Sequence, residues 1–222
     1  MPASYFDVDG TLISSNVLHP AAYYLSHQQT PLQVALRFGK TLANAPRMAM
    51  AELADRRTFN ELLFSSYGGM SSDRLELLAD DAFNTAMKPY LYPKAKDLIK
   101  TSRAAGHEIV LISGTLDFML DRLADYFGGA SIICNRLEIK DGYATGKLLK
   151  PVVAGPEKAR LIREHARINN HDLNDCFAFS DSYSDVPMLS VVGHPAAVNP
   201  DRRLSLLAKA YSWPMFDLGV NT

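Results

Sequence analysis

Short, continuous runs of apolar residues along the chain predict the strands of a parallel β-sheet. The runs cover residues 3–8, 107–112, 131–134, 175–179 and, more weakly, 195–198. Strands that are buried on both faces are apolar throughout, whereas a half-exposed strand alternates apolar and polar residues. The pattern therefore predicts a sheet that is covered by helices on both faces.

Segments with apolar residues at helical spacing separate these predicted strands. The segment 93–105 starts with a proline and is followed by Gly106, the usual order of helix start and stop signals. After the second predicted strand, Leu116, Met119, Leu120 and Leu123 recur at helical spacing. This alternation of strands and helices predicts an α/β fold with a Rossmann-like, doubly wound parallel sheet.

Residues 15–88 interrupt the alternation and show helical periodicity without a convincing strand. A helix is expected after Ser71, which can cap it, with an apolar face that runs from Leu75 to Ala86. We therefore predict a core of residues 1–14 and 89–222 and an all-helical cap, residues 15–88, inserted after the first strand. A hairpin of residues 136–139 and 143–149 is predicted around the turn Asp141-Gly142.

Composition changes this picture only by excluding some classes of function. The 222 residues are 47% hydrophobic and carry a formal net charge of −1, so no basic field favours nucleic-acid binding. No apolar stretch reaches the roughly 18 residues that indicate a membrane span. The two cysteines, Cys134 and Cys176, lie in apolar runs and are expected to be buried thiols. No targeting segment is evident, so we expect a cytoplasmic protein, with a monomer as the default assembly.

The first candidate site follows the first predicted strand, where the segment 6–12 reads Phe-Asp-Val-Asp-Gly-Thr-Leu. Ligands of open α/β sheets bind at the carboxyl ends of the strands, which is where Asp7 and Asp9 stand. Two carboxylates at this spacing repel each other unless a proton or a cation compensates their charge. Mg²⁺, which prefers oxygen ligands, would do so, and the alternative is a loop whose acids face solvent.

Three further polar elements occur along the chain. Ser113-Gly114 ends the second predicted strand, where a hydroxyl and free backbone N–H groups could hold phosphoryl oxygens. Lys158 stands at the start of a predicted helix, where the macrodipole disfavours a cation unless an anion is near. A surface lysine is the alternative there. Asp181 and Asp185 follow the fourth strand and are expected at the same sheet edge as the first acidic pair.

In this order, the four elements resemble the four motifs of the haloacid dehalogenase (HAD) superfamily, over essentially the whole chain. The position of the cap and the segment 181–189, Asp-Ser-Tyr-Ser-Asp-Val-Pro-Met-Leu, resemble the phosphoserine-phosphatase-like subfamily IB, whose helical cap is of the C1 type. The resemblance implies a Mg²⁺-dependent phosphatase that hydrolyses phosphomonoesters through a phosphoaspartate intermediate.

The resemblance also implies a role for each matching position. Asp7 would be the nucleophile that takes the phosphoryl group, and Asp9 would be the general acid and base. Ser113 and Gly114 would bind the phosphoryl oxygens. Lys158 would bind the phosphate too and neutralise the charge that it shares with Asp7.

The metal ligands follow from the same resemblance. Mg²⁺ would be bound by Asp7, by the backbone carbonyl of Asp9 and by Asp181, with Asp185 in a supporting position. Asp9 also answers a chemical need, because the leaving alkoxide requires a proton and water must later be activated. A phosphotransferase would keep this residue too, whereas a non-catalytic phosphate-binding regulatory module, the further alternative, has no use for it.

The cap is expected to select the substrate, which would be a small phosphorylated metabolite. Phosphoserine phosphatases are expected to carry a glutamate nine residues after the nucleophile, and Asn16 occupies this position. We therefore expect a substrate other than phosphoserine, with a phosphoserine phosphatase proper as the alternative. Asn16 and Arg57 are the cap residues assigned to the substrate, although Arg57 and Arg56 could belong to a solvated helix face. The residues that could line an apolar pocket, or pack between cap helices, are Tyr23, Tyr24, Leu25 and Phe38.

Overall fold

The computed structural model describes residues 1–27 and 30–219. Its strands are β1 (Ala3–Asp7), β2 (Glu108–Leu116), β3 (Ser131–Asn135), β4 (Leu137–Lys140), β5 (Tyr143–Leu148), β6 (Phe177–Ser180), β7 (His194–Val198) and β8 (Met215–Phe216). Its α-helices are α1 (Leu18–Ser26), α2 (Pro31–Ala54), α3 (Arg56–Phe64), α4 (Ser72–Leu77), α5 (Ala79–Ala86), α6 (Ala95–Ala104), α7 (Asp117–Tyr126), α8 (Pro156–Ile168), α9 (Val186–Leu189) and α10 (Arg202–Ala210).

Six of these strands form one parallel sheet in the order β3-β2-β1-β6-β7-β8. The chain builds the sheet outward from β1 to β3 on one side, and later strands extend it from β6 on the other side. The order therefore reverses next to β1, between it and β6. Such a switch point leaves a crevice at the carboxyl ends of the two strands, and ligands of doubly wound sheets bind there. The predicted α/β, doubly wound fold is confirmed.

Two apolar clusters cover the two faces of this sheet. Successive residues of a strand point to opposite faces, so Tyr5 and Phe6 belong to different clusters. One cluster packs Tyr5 and its neighbours with residues of α8, α9 and α10. The other packs Phe6 with residues of α6, α7 and the helices that precede β2. Both faces are therefore buried, which explains why the strands lack an alternating pattern.

The helical insertion after the first strand is confirmed, because α1 to α5 all lie between β1 and β2. The predicted limits of the cap, residues 15–88, stay a prediction. The helix expected after Ser71 begins there, since the Ser71 hydroxyl accepts a hydrogen bond from the Arg74 backbone N–H. It ends at Leu77, however, and Leu78 separates it from α5. Both helices still bury their apolar face, including Leu75 and Phe83.

The predicted hairpin is present as β4 and β5, a separate two-stranded sheet whose backbone is hydrogen-bonded to the cap segment. The backbone N–H of Gly69 donates to the Ala144 carbonyl at 2.7 Å, and that of Ala144 donates to the Met70 carbonyl at 2.8 Å. The Ser72 N–H donates to the Gly142 carbonyl at 2.9 Å. The hairpin therefore fixes one end of the helical insertion, although it follows β3 in the chain.

Two strands differ from the prediction. β2 does not end before Ser113 but continues to Leu116, with a register shift against β3 after Ile112. The Asn135 side chain bridges this irregular stretch, because its amide donates to the Gly114 carbonyl and its carbonyl accepts from the Val153 N–H. β8 has two exposed residues and too little apolar pattern to be predicted. Among the described residues, no helix is long and apolar enough to cross a membrane.

Candidate active site

The predicted acidic residues meet at the switch point of the sheet. Asp7 is the last residue of β1, and Asp181 directly follows β6, the neighbouring strand. Asp9 lies two residues beyond the end of β1, and Asp185 lies in a short 3₁₀ helix that ends where α9 begins. The parallel arrangement of β1 and β6 therefore places four carboxylates at one edge of the sheet.

A buried lysine joins two of these carboxylates. The Nζ of Lys158, in the first turn of α8, lies 2.6 Å from Oδ1 of Asp7 and 2.8 Å from Oδ2 of Asp185. The three side chains are at most 7% exposed. Ser180 supports the group, since its hydroxyl donates to the same Asp185 oxygen at 2.8 Å. Burial acts to lower the pKa of Lys158, but the charges of Asp185 and Asp7 outweigh it and raise the pKa above its ordinary value.

Asp9 is held by two hydroxyl groups of β2. Its Oδ2 accepts hydrogen bonds from Ser113 Oγ at 3.0 Å and from Thr115 Oγ1 at 3.4 Å. Burial, followed by repulsion from Asp7, raises the pKa of Asp9 to about 6, despite the hydrogen bond from Ser113. The other oxygen, Oδ1, is buried and has no hydrogen-bond partner among the residues that the structure describes. One oxygen of Asp9 is thus fixed by the protein, and the other is available to a ligand.

Asp181 is linked to Asp7 through Thr11. The Thr11 hydroxyl lies 3.1 Å from Oδ2 of Asp7 and 3.2 Å from Oδ1 of Asp181. Burial raises the pKa of Asp181 to about 8, with further contributions from Asp7 and Asp185. The chain passes close to this carboxylate at Gly10, where a Cβ atom would lie 2.2 Å from Oδ2 of Asp181, and where φ is +83°. A glycine at this position is therefore required by both space and backbone conformation.

The donor set at this edge fits a hard divalent cation. Four carboxylates, those of Asp7, Asp9, Asp181 and Asp185, are opposed by Lys158 and, at longer range, by Arg56. Burial, followed by repulsion from Asp7, raises the pKa of Asp9 and of Asp181, so an added cation would stabilise their charged forms. The groups that they offer are oxygens, which Mg²⁺ prefers to nitrogen or sulfur. Asp7 and Asp181, with the backbone of Asp9, could hold such an ion.

A small cavity of about 50 Å³ opens above Asp7 and Lys158. Its wall consists of Asp7, Asp9, Asn16, Val17, Arg56, Phe59, Asn60, Gly114, Val153, Ala154, Gly155, Lys158 and Asp185. Residues of the core and of the helical insertion therefore meet around the candidate nucleophile. The size of the cavity suits a compact anionic group rather than a whole metabolite.

The predicted substrate residues divide into those that line this cavity and those that do not. Gly114, Lys158 and Asn16 line it, whereas Ser113 is fully buried behind it and directs its hydroxyl to Asp9. Phosphoryl binding by Ser113 stays a prediction. Arg57 is not part of the cavity wall.

The position of Arg57 has a local cause. Its Nε lies 3.3 Å from Oδ1 of Asp55, the residue that caps α3, and its side chain is 57% exposed. The structure places Arg56 on the cavity wall instead. Sequence reasoning also missed Asn60, which is buried on this wall with its amide 3.4 Å from the Val153 carbonyl. The spacing of Arg56, Phe59 and Asn60 on one helix face was the available signal.

The aromatic residues of the cap have different surroundings. Tyr24 and Leu25 are buried, and the Tyr24 hydroxyl donates to the Leu75 carbonyl, so they pack between helices. Tyr23 stacks on His27. Phe38 lines a second, apolar cavity next to the first.

A separate cluster of Glu108, His165 and His171 lies at the opposite end of the strands. Glu108 pairs with Ala3 at the start of β1, whereas Asp7 ends that strand. Nε2 of His171 lies 2.7 Å from Oε2 of Glu108, and Nε2 of His165 lies 3.6 Å from Oε1. This cluster therefore takes no part in the candidate active site, and it ties the end of α8 to β2.

The chain matches a family and several known proteins. Residues 5–190 match the family described as haloacid dehalogenase-like hydrolase. Over 221 residues the chain is 30% identical to the inhibition of morphological differentiation protein of Streptomyces azureus, covering 97% of this chain and 78% of that protein. It is 28% identical over 219 residues to a phosphoserine phosphatase of Mycobacterium tuberculosis, covering 98% and 71%. The crystal structure of a Bordetella pertussis protein with unknown function has a TM-score of 0.83 at 24% identity, covering 98% and 99%, and so shares the fold.

The buried ion group generates a first prediction. Replacing Lys158 with Met leaves Asp7 and Asp185 buried without their cation, which should cost about 3–5 kcal/mol of unfolding free energy. Burial already raises the pKa of Asp7, and the substitution removes a charge that opposes this shift. Protonation of Asp7 should therefore relieve the defect, so the loss should be smaller at about pH 5.5 than at about pH 8.

Urea unfolding in EDTA measures both quantities. Lys100→Met, on the exposed face of α6, is the matched control and should change the unfolding free energy by less than about 0.5 kcal/mol. A Lys158→Met protein as stable as the control at both pH values would contradict the assignment of Lys158 as the stabilising partner of the two acids.

Proposed function

Because the chain belongs to the haloacid dehalogenase-like hydrolases and is a phosphatase, we propose that it hydrolyses a small phosphomonoester through a phosphoaspartate on Asp7, with Mg²⁺ as cofactor. The observation that carries this proposal is the position of Asp7. Its carboxylate lies on the wall of the small cavity, between the Lys158 ammonium and the Thr11 hydroxyl. A buried carboxylate held in this way is oriented for attack on a phosphorus atom in the cavity.

In the first step, an Asp7 oxygen attacks phosphorus and the P–O bond to the alcohol breaks. Asp9 donates a proton to the leaving oxygen, which departs as the free alcohol. Lys158 opposes the negative charge that Asp7 and the phosphoryl group share. Asp7, Asp181 and the backbone of Asp9 would hold Mg²⁺, whose positive charge would lower the repulsion between the phosphoryl group and the nucleophile.

In the second step, Asp9 takes a proton from water, and the resulting hydroxide attacks the phosphorus of the phosphoaspartate. The bond to Asp7 breaks, inorganic phosphate leaves and the carboxylate is restored. A pKa of about 6 supports both roles of Asp9, because its acid and base forms are each accessible near neutral pH. The hydrogen bonds from Ser113 and Thr115 keep one oxygen fixed while the other exchanges the proton.

Asn16 supports a substrate other than phosphoserine. It lines the small cavity, and its side-chain carbonyl already accepts a hydrogen bond from the Leu18 N–H at 3.1 Å. A neutral amide in this state offers little to a substrate ammonium group, which a buried carboxylate would bind as a charge-assisted pair.

The nucleophile is tested by Asp7→Asn. An amide is a far weaker nucleophile than a carboxylate, so release of phosphate from p-nitrophenyl phosphate should fall at least about a thousandfold. Circular dichroism should still report a folded protein. Asp141→Asn, in the exposed turn of the hairpin, is the control and should retain the wild-type rate. Near-normal turnover by folded Asp7→Asn would rule out the phosphoaspartate mechanism.

The metal is tested by thermal unfolding as well as by activity. Mg²⁺ at a hundred times its Kd should raise the Tm of the wild type by about 5–10 °C, since it binds only the folded site. Asp181→Asn should lose most of this increase, and Asp141→Asn should keep it. EDTA should also abolish hydrolysis. Full activity in chelated protein, or an equal Tm increase in both variants, would show that Asp181 is not part of a magnesium site.

Specificity is tested by Asn16→Glu. Phosphoserine should be a poor substrate of the wild type compared with at least one other small phosphomonoester. Asn16→Glu should raise kcat/KM for phosphoserine by about one to two powers of ten, because a carboxylate pairs with its ammonium group. Asn84→Glu, on the exposed face of α5, controls for an added charge on the cap. If phosphoserine is the best substrate in a metabolite panel, or if both variants behave alike, residue 16 does not select the substrate.

A further inference from the structure

A second cavity, of about 560 Å³, adjoins the small cavity above Asp7. The two cavities share four wall residues, Asn16, Val17, Arg56 and Phe59. The second cavity therefore begins where the first one ends, on the side of the helical insertion. Its volume lies within the range of about 300–1,000 Å³ that is typical of small-molecule sites.

The wall of the second cavity is mainly apolar. The helix α2 contributes a stripe of residues at helical spacing, which consists of Phe38, Leu42, Ala45, Met48 and Ala49. Two of its apolar side chains are left open to solvent, since Phe38 is 41% and Leu42 is 75% exposed. Large apolar side chains that remain exposed beside a polar site are typical of binding grooves.

We propose that this apolar chamber binds the leaving group of the substrate, and that this leaving group is an apolar alkyl or aryl body. The inference depends on the proposed phosphatase function. The phosphoryl group would occupy the small cavity, and the ester oxygen would direct the rest of the substrate past Phe59 and Arg56 into the chamber.

Charge favours this occupant over a polar metabolite. Arg56 is the charged residue in the wall of the chamber within the described part of the chain, and it also lines the small cavity. A substrate body with its own charges would lose water without gaining partners among Phe38, Leu42 and Met48. An apolar body gains free energy from the same surroundings.

The decisive experiment compares kcat/KM for a series of n-alkyl phosphates from ethyl to octyl, with phenyl and naphthyl phosphates as a second arm. We expect an increase of about two- to fourfold for each methylene until the chamber is filled. A steeper gain in the alkyl arm identifies a chain as the bound group, and a steeper gain in the aryl arm identifies a ring. A flat profile in both arms overturns the inference.

A matched pair of variants localises the effect. Ala45→Trp places a large ring in the chamber and should flatten the dependence on chain length. Ala43→Trp, at an exposed position of the same helix outside the chamber, should leave it unchanged. If the two variants show the same dependence on chain length, the assignment of the chamber is overturned. It is also overturned if the wild type shows a flat profile and sedimentation detects an oligomer that Ala45→Trp dissociates. The second result would mean that another copy of the chain covers the apolar stripe of α2.

Binding of n-alkylphosphonates separates this inference from the proposed function. Attack by Asp7 cannot break the phosphorus–carbon bond of these compounds. Calorimetry in the presence of Mg²⁺ therefore reports their affinity alone. If phosphonate affinity increases with chain length but no phosphate ester is hydrolysed, apolar binding in the chamber is supported and the phosphatase mechanism is refuted. If ethyl and octyl phosphate are hydrolysed at the same rate and phosphonate affinity does not depend on chain length, the mechanism is supported and apolar binding in the chamber is refuted.

Discussion

The contact on which the rest of the site depends is the buried ion group of Lys158, Asp7 and Asp185. Each member comes from a different element, namely the first turn of α8, the end of β1 and the segment after β6. Taking these charges out of water is costly, and only mutual pairing at 2.6 and 2.8 Å makes it tolerable. The group therefore fixes α8 against the two central strands. It also fixes the orientation of Asp7, because rotating that carboxylate would leave the ammonium with a single partner.

The pairing of charges is incomplete, and this imbalance is the feature of the sheet edge on which the proposed chemistry depends. Lys158 pairs directly with two carboxylates, whereas no salt bridge to Asp9 or Asp181 occurs among the described residues, and burial raises the pKa of both acids. A fold selected for stability alone would avoid such a cluster. In the proposed mechanism, the excess negative charge favours binding of a divalent cation, and Oδ1 of Asp9 exchanges the proton. The same buried acids thus reduce the stability of the fold and provide the groups for the proposed chemistry.

The sequence predicted the core of this site more fully than its rim. Asp7 and Asp181 could be placed because each follows an apolar strand, and parallel strands bring their carboxyl ends to one edge. Arg56 and Arg57 could not be distinguished in this way, since neighbouring positions on a helix point about 100° apart and the start of α3 sets the phase. The role of Ser113 was equally open, because a hydroxyl at a strand end can face a ligand or a neighbouring acid. In the structure it faces Asp9.

The rotational orientation of α3 about its axis determines which of its residues line the two cavities. Asp55 ends α2 and caps α3, where its side chain accepts a hydrogen bond from the Arg57 N–H and also holds the Arg57 side chain. With Arg57 occupied there, the face of α3 that carries Arg56, Phe59 and Asn60 turns toward the acids. The helix before this junction, α2, lines the neighbouring chamber with its apolar residues. The core thus supplies the carboxylates and Lys158, and the two helices that meet at Asp55 supply Arg56 at the boundary between the cavities and the apolar wall of the chamber.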